Sequence, residues 1–77
     1  MPRYYFHIRD SEHFIRDDEG SELRDVEHAR GEAIKDIHDL ITQNLRGGVP
    51  IAGLRVEIED DSGPVGAVAL SDVMKGP

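Results

Sequence analysis

The chain has 77 residues, with 16 acidic and 9 basic side chains, no Cys, no Trp and a formal net charge of −7. Its apolar fraction of 38% and charged fraction of 32% are typical of a folded domain rather than a disordered segment. A chain this short forms one domain over residues 1–77. Its small core leaves little room for an enclosed active-site cavity and favours self-association.

The composition also disfavours several kinds of function. Without Cys the chain has no disulfide, no thiolate metal site and no cysteine nucleophile, which fits a reducing compartment. The first residues lack the pattern of a secretory signal, and no apolar run is long enough to span a bilayer. We therefore expect a cytoplasmic protein without a membrane partner. The negative charge makes nucleic acid an unlikely partner, because phosphate binding needs cations.

The first predicted element is a strand from Arg3 to Arg9, rich in aromatic and β-branched residues. Its side chains alternate between an apolar face and a mixed aromatic and basic face. The apolar face holds Tyr4, Phe6 and Ile8, and the other holds Tyr5, His7 and Arg9.

A turn at 10–12 and a short returning strand at 13–16 complete the first predicted hairpin. Because Phe14 and Ile15 are adjacent apolar residues, the sequence leaves the register of this strand open. A second turn follows at 17–20, where carboxylates can accept backbone N–H groups, and then a short extended piece at 21–23.

An amphipathic helix is the strongest predicted element, with Asp25 as its N-cap and its end near Arg46. Gly47, Gly48 and Pro50 then stop it. Arg30 lies within the apolar stripe, and we interpret it as reaching a nearby carboxylate, with contact to a partner as the alternative. The stripe consists of Val26, Ala29, Ala33, Ile34, Ile37, Leu40, Ile41 and Leu45.

The second predicted hairpin pairs 54–59 with 64–70 through a turn at 60–63. Leu54, Val56 and Ile58 face inward, and Ser71 caps one last helical turn that reaches Met74. The elements give an α+β fold in the order β-hairpin, one long amphipathic helix, β-hairpin (ββαββ), with the helix on one face of an antiparallel sheet.

Several sequence blocks point to a family. They are the opening M-P-R-Y-Y-F-H, then D-D-E-G-S-E-L, D-V-E-H-A-R-G-E-A, V-E-I-E-D-D-S-G and A-L-S-D-V. Over essentially the whole chain they resemble a family of short bacterial proteins known as a domain of unknown function. The resemblance implies the ββαββ layout and no activity.

A looser likeness concerns the segments 20–23, 25–33 and 48–51, which resemble the N-terminal domain of HicB-type antitoxins. This likeness implies a toxin-neutralising partner role. Those antitoxins usually carry a separate DNA-binding segment, for which this chain has no room, so only partner binding transfers.

Two surfaces are candidate binding sites. One helix covers one side of a sheet, so the other side, here called the open face, should be free to bind a protein. Carboxylates around the second turn form an acidic surface that could attract a basic partner. The acidic surface consists of Asp17, Asp18, Glu19 and Glu22. The open face consists of Tyr5, His7, Arg9, Arg55, Glu57, Glu59, Ala67 and Ala69.

The four histidines suggest a metal or small-ligand site as an alternative, centred on His7 with His13 and Asp10 across the first hairpin. The sequence assigns no metal ligand and no cofactor, and it contains no familiar catalytic motif. The sequence therefore predicts a non-enzymatic interaction module, either a homodimer or the partner of another protein.

Overall fold

The computed structural model describes residues 1–47 and 51–74 of the chain. It confirms the α+β fold and the ββαββ order, with one further short strand after the first hairpin. The elements are β1 (Arg3–Arg9), β2 (Phe14–Ile15), β3 (Ser21–Glu22), α1 (Val26–Gly47), β4 (Arg55–Asp60), β5 (Gly63–Ala69) and α2 (Leu70–Met74).

The strands form one antiparallel sheet in the order β2-β1-β4-β5, so the two hairpins meet through β1 and β4. The short strands β2 and β3 pair with opposite ends of β1. In the second hairpin a register shift lies between Ile58 and Glu59, and Gly63 turns the chain with a φ of 122°.

The core lies between α1 and the sheet. Ala29, Ala33 and Ile37 follow one another at four-residue spacing along α1 and are fully buried. Against them lie Val56 and Ile58 of β4, as the alternation in this strand predicts. The two alanines let the helix backbone come close to the sheet, because they carry no side chain beyond Cβ.

The buried face of α1 is narrower than the predicted stripe. Val26 and Ile34 are more than one-third exposed and Leu45 is 82% exposed. The row of Ala29, Ala33 and Ile37 points directly at β4 and β5. The apolar residues on either side of this row therefore border solvent. The helix ends at Gly47, one residue beyond the prediction, and the predicted stop signals Gly48 and Pro50 lie outside the described residues.

The predicted N-cap of α1 is confirmed. The Oδ1 atom of Asp25 accepts the backbone N–H of His28 at 2.9 Å, and the backbone carbonyl of Asp25 accepts the N–H of Ala29. The His28 side chain also bonds Oδ1, at 2.8 Å, and this contact together with the His28 N–H lowers the pKa of Asp25.

Two local predictions are wrong. Ser71 does not cap α2: the helix begins at Leu70, one residue earlier than predicted, so Ala69 is at the N-cap position and Asp72, in the first turn, accepts its N–H at 3.0 Å. Arg30 reaches the backbone carbonyl of Ala67 at 3.4 Å rather than a carboxylate, because α1 lies beside the outer strand β5.

Two glycines should respond in opposite ways to alanine. A Cβ at Gly31, inside α1, would meet no atom within 4 Å, so Gly31→Ala should stabilise the fold by up to about 1 kcal/mol. Gly20 has a φ of 71°, and its Cβ would lie 2.8 Å from Cε2 of Tyr5, so Gly20→Ala should destabilise it. Thermal melts of both variants test this difference, and a lower Tm for Gly31→Ala would contradict the account.

Candidate functional site

The open face exists as a continuous surface across three strands. Direct pairing places Tyr5 opposite Glu59, His7 opposite Glu57, and Arg9 opposite Arg55. Residues directly opposite each other on antiparallel strands point to the same side of the sheet. On β5, Ala67 lies opposite Glu57 and Ala69 lies opposite Arg55. The structure therefore brings together all eight residues that the sequence assigned to this face.

Glu57 lies at the centre of this face and pairs with two arginines. Its Oε2 atom accepts the Nε–H of Arg9 at 3.0 Å and the Nε–H of Arg55 at 2.9 Å. Partial burial by itself raises the pKa of Glu57, but the two guanidinium groups outweigh it and hold the pKa below its ordinary value. Glu57 thereby offsets the repulsion between Arg9 and Arg55, which lie directly opposite each other.

His7 is buried, although its place on the open face predicted an exposed side chain. Only 7% of the residue is accessible. Its Nδ1 atom accepts the backbone N–H of Asp17 at 3.0 Å, and its Nε2 atom lies 2.9 Å from Oε1 of Glu59. Because an amide N–H donates to Nδ1, the ring proton belongs on Nε2, which donates to Glu59. His7 thus forms part of the rigid floor of the face.

Phe14 is the site residue that sequence reasoning missed. The register pairs Phe14 with Arg9 and Ile15 with Ile8, so Phe14 stands at the margin of the open face and Ile15 points to the other side. The Arg9 guanidinium carbon lies 4.3 Å from the centroid of the Phe14 ring, and this ring lies 5.6 Å from that of His7. Phe14 therefore covers His7 and remains 45% exposed.

Asp17 turns towards the sheet and is only partly exposed, so it contributes less to the acidic surface than the sequence predicted. Its Oδ2 atom accepts the backbone N–H of Phe6 at 3.0 Å, while Oδ1 accepts the N–H groups of Glu19 and Gly20. Partial burial raises the pKa of Asp17, but the three donated hydrogen bonds outweigh it and leave the pKa below its ordinary value. Asp17 therefore joins the turn to β1.

The rest of the acidic surface is partly neutralised by neighbouring arginines. Asp18 pairs with Arg16 at 2.9 Å, and Glu22 pairs with Arg3 at 3.4 Å. Glu19 is exposed, and its backbone carbonyl accepts a hydrogen bond from Arg3. The geometry thus weakens the case for a concentrated acidic docking site at this turn.

The histidines do not converge. His13 bonds Asp10 within the first turn, with Nδ1 and Oδ1 3.2 Å apart, while His7 uses both ring nitrogens in other hydrogen bonds. In the part of the chain that the structure describes, no three His, Cys, Asp or Glu side chains are grouped so that they could hold a metal ion.

A groove of about 410 Å³ runs along the open face between β4 and β5. Charged side chains of β4 form one wall, and small residues of β5 form the other. Its size is near the lower end of the range for ligand sites. The lining residues are His7, Arg55, Glu57, Ile58, Glu59, Pro64, Gly66 and Ala67.

Replacing Asp17 by Asn should destabilise the fold, because the amide cannot accept all three N–H groups without setting its own NH₂ against a donor. The expected loss at neutral pH is about 1–3 kcal/mol, typical of a hydrogen-bond donor left without an acceptor. Asp18→Asn, at a side chain 80% exposed, is the matched control and should change stability little.

The effect of Asp17→Asn should also depend on pH. Since folding lowers the pKa of Asp17, its contribution is fully present above the unfolded-state pKa and is lost as the pH falls through the folded-state pKa. Denaturant unfolding should therefore show the difference between wild type and Asp17→Asn shrinking below about pH 4. A difference that stays constant down to strongly acidic pH would contradict this role.

Comparison with known proteins identifies a family and nothing more specific. No curated protein and no solved structure matches the chain, so the likeness to HicB-type antitoxins stays a prediction. Within the described residues, no helix combines the length and apolar character needed to cross a bilayer. A family model described as a domain of unknown function (DUF6894) matches residues 3–71. The chain therefore belongs to this DUF6894 family, which confirms the resemblance to a family of unknown function.

Proposed function

We propose that the protein is a non-enzymatic protein-interaction module and that the open face is its binding surface. The observation that carries this proposal is the one-sided packing of the sheet. The buried residues of α1 lie against one side, while Arg55 and Ala67 on the opposite side are exposed. A sheet face that water can reach is available to another protein.

The charge of the open face favours a protein over a nucleic acid. Arg9 and Arg55 balance Glu57 and Glu59, so the face has a formal charge of zero. The whole chain has 9 basic and 16 acidic side chains, so the net −7 belongs to residues outside this face. Nucleic-acid binding depends on an excess of cations, which this face lacks.

The chemistry of the face also suits a protein partner. Arg and aromatic side chains are enriched in protein interfaces, and here Arg55 and Phe14 are both exposed. The ion pairs of Glu57 and the hydrogen bonds of His7 already fix several side chains in place. A surface ordered in advance loses less conformational entropy on binding than a mobile one.

The alternatives have weaker support. A metal or small ligand at His7 would have to displace either the Asp17 amide or Glu59 from a ring nitrogen. An antitoxin-like role is one form of partner binding, and identification of the bound protein would distinguish it from self-association.

Ala67→Arg tests the proposal, because it places a long charged side chain in the groove of the open face. Gln43→Arg, at an exposed position of α1, adds the same charge on the other layer and is the matched control. Each form would be expressed with a tag in its native cell, crosslinked and recovered. We expect Ala67→Arg to recover at least about tenfold less crosslinked partner than wild type and Gln43→Arg do, whether that partner is the same chain or another protein.

Equal recovery of the same proteins by all three forms would overturn the proposal. Thermal melts of the purified variants would show whether each one still folds cooperatively.

A further inference from the structure

We propose that the occupant of the open face is a second copy of this chain, packed face to face about a twofold axis that runs parallel to the strands between β1 and β4. In this arrangement the Phe14 ring of each copy lies over Ala69 of the other, at one end of its groove. The inference rests on the proposed function and specifies its partner.

The first argument is electrostatic. Each chain has a formal charge of −7, so two copies repel each other over most of their surfaces. The open face, whose charges balance, lets two such molecules approach with the least repulsion. At its margin the Arg3–Glu22 pair adds one charge of each sign and leaves the balance unchanged. A basic partner, in contrast, would be attracted to the residues outside this face.

The second argument is the position of the protruding ring and of the groove. Phe14 lies on β2, at one side of the sheet, and the groove lies between β4 and β5, at the other side. The middle of the face is the boundary between β1 and β4. A rotation of 180° about an axis along that boundary places the β2 side of each copy over the β5 side of the other. The dimer therefore contains this contact two times. Such a self-complementary contact is what a twofold dimer needs.

The third argument is the level of these features along the strands. Pairing sets Phe14 opposite Arg9, Arg9 opposite Arg55, and Arg55 opposite Ala69, so these four residues form one row across the sheet. An axis parallel to the strands keeps this level. It therefore brings Phe14 over Ala69 of the second copy, beside Arg55 and at one end of the groove. The same rotation places Arg9 over Arg55 of the second copy, and the two Glu57 carboxylates, each of which accepts from Arg9 and Arg55 of its own chain, offset the charge of these guanidinium groups. Face-to-face sheets pack with nearly aligned strands in the same way.

The broad side is large enough for a dimer interface of standard size if most of it takes part. The molecule measures 35 × 29 × 17 Å, so its broad side projects at most about 1,000 Å². A standard interface buries about 800 Å² on each partner. Most of the broad side, rather than a corner of it, would have to take part, which a flat sheet face permits.

Adjacent residues provide the test, because Phe14 and Ile15 point to opposite sides of the same strand. Ile15 is the more exposed of the two, at 60% against 45%. Phe14→Ser and Ile15→Ser are uncharged changes of the same kind, so a general effect of lost apolar surface would be at least as large for Ile15. Light scattering of purified protein over a concentration series measures the mass in solution.

We expect wild type and Ile15→Ser to have a mass of about 17 kDa, twice the 8.6 kDa of one chain. Phe14→Ser should weaken the dimer by about thirtyfold or more, as the loss of an aromatic hot spot does. Ala67→Arg should give single chains as well, and it keeps the test decisive if Phe14→Ser exposes His7 and unfolds. A Phe14→Ser variant that is folded and as dimeric as wild type would overturn the inference.

Wild type that remains a single chain at every concentration would also overturn it. In that case the capture experiment separates the two proposals. If Ala67→Arg fails to capture a different protein that wild type and Gln43→Arg capture, the proposed function stands and the homodimer does not. If Ala67→Arg and Gln43→Arg capture the same proteins equally, both the proposed function and the homodimer are contradicted.

Discussion

The structure depends on the packing of a single long helix against a sheet that has two faces. Ala29, Ala33 and Ile37 of α1 close over Val56 and Ile58, and this contact forms most of the core. The chain has no second long helix among its described residues to cover the other side. That side must therefore be compatible with water and still hold the sheet together. Pairing of its charges around Glu57 meets the first need, and burial of His7 contributes to the second.

Asp17 connects the edge of the sheet to the open face. Its carboxylate accepts the N–H of Phe6, so a side chain supplies an acceptor to β1 between the two short strands that flank it. Its backbone N–H fixes the ring of His7, on which Phe14 rests. The same residue thus stabilises the edge of β1 and the floor of the candidate binding surface. A change at Asp17 should disturb both, which a purely acidic docking residue would not do.

The predictable parts of this fold are those that depend on local patterns. Alternation along 54–59 identified the inward residues of β4, and the helical spacing around Ala33 identified the buried row of α1. The cap at Asp25 also followed from residue type and position. The side of the sheet that bears Tyr5 and Arg55 followed from the same alternation, so the residues of the open face could be predicted from the sequence.

The features that could not be predicted depend on contacts between distant parts of the chain. The side to which Phe14 points is fixed by the pairing of Ile15 with Ile8, and two adjacent apolar residues give no preference. An acidic turn predicted a solvated Asp17, because nothing local indicates that its carboxylate meets the N–H of Phe6. His7 is buried for the same reason, since its partners lie 10 and 52 residues away.

The central claim is that the open face is where a second molecule of this chain binds. The most direct measurement is a dilution series of ¹⁵N-labelled protein, followed by the chemical shifts of its backbone amides. The account predicts that dilution shifts the amides of Arg9, Arg55 and Ala67, and that those of Ala29 and Ile37, on the buried face of α1, stay in place. Shifts concentrated along α1, or none at any concentration, would contradict it.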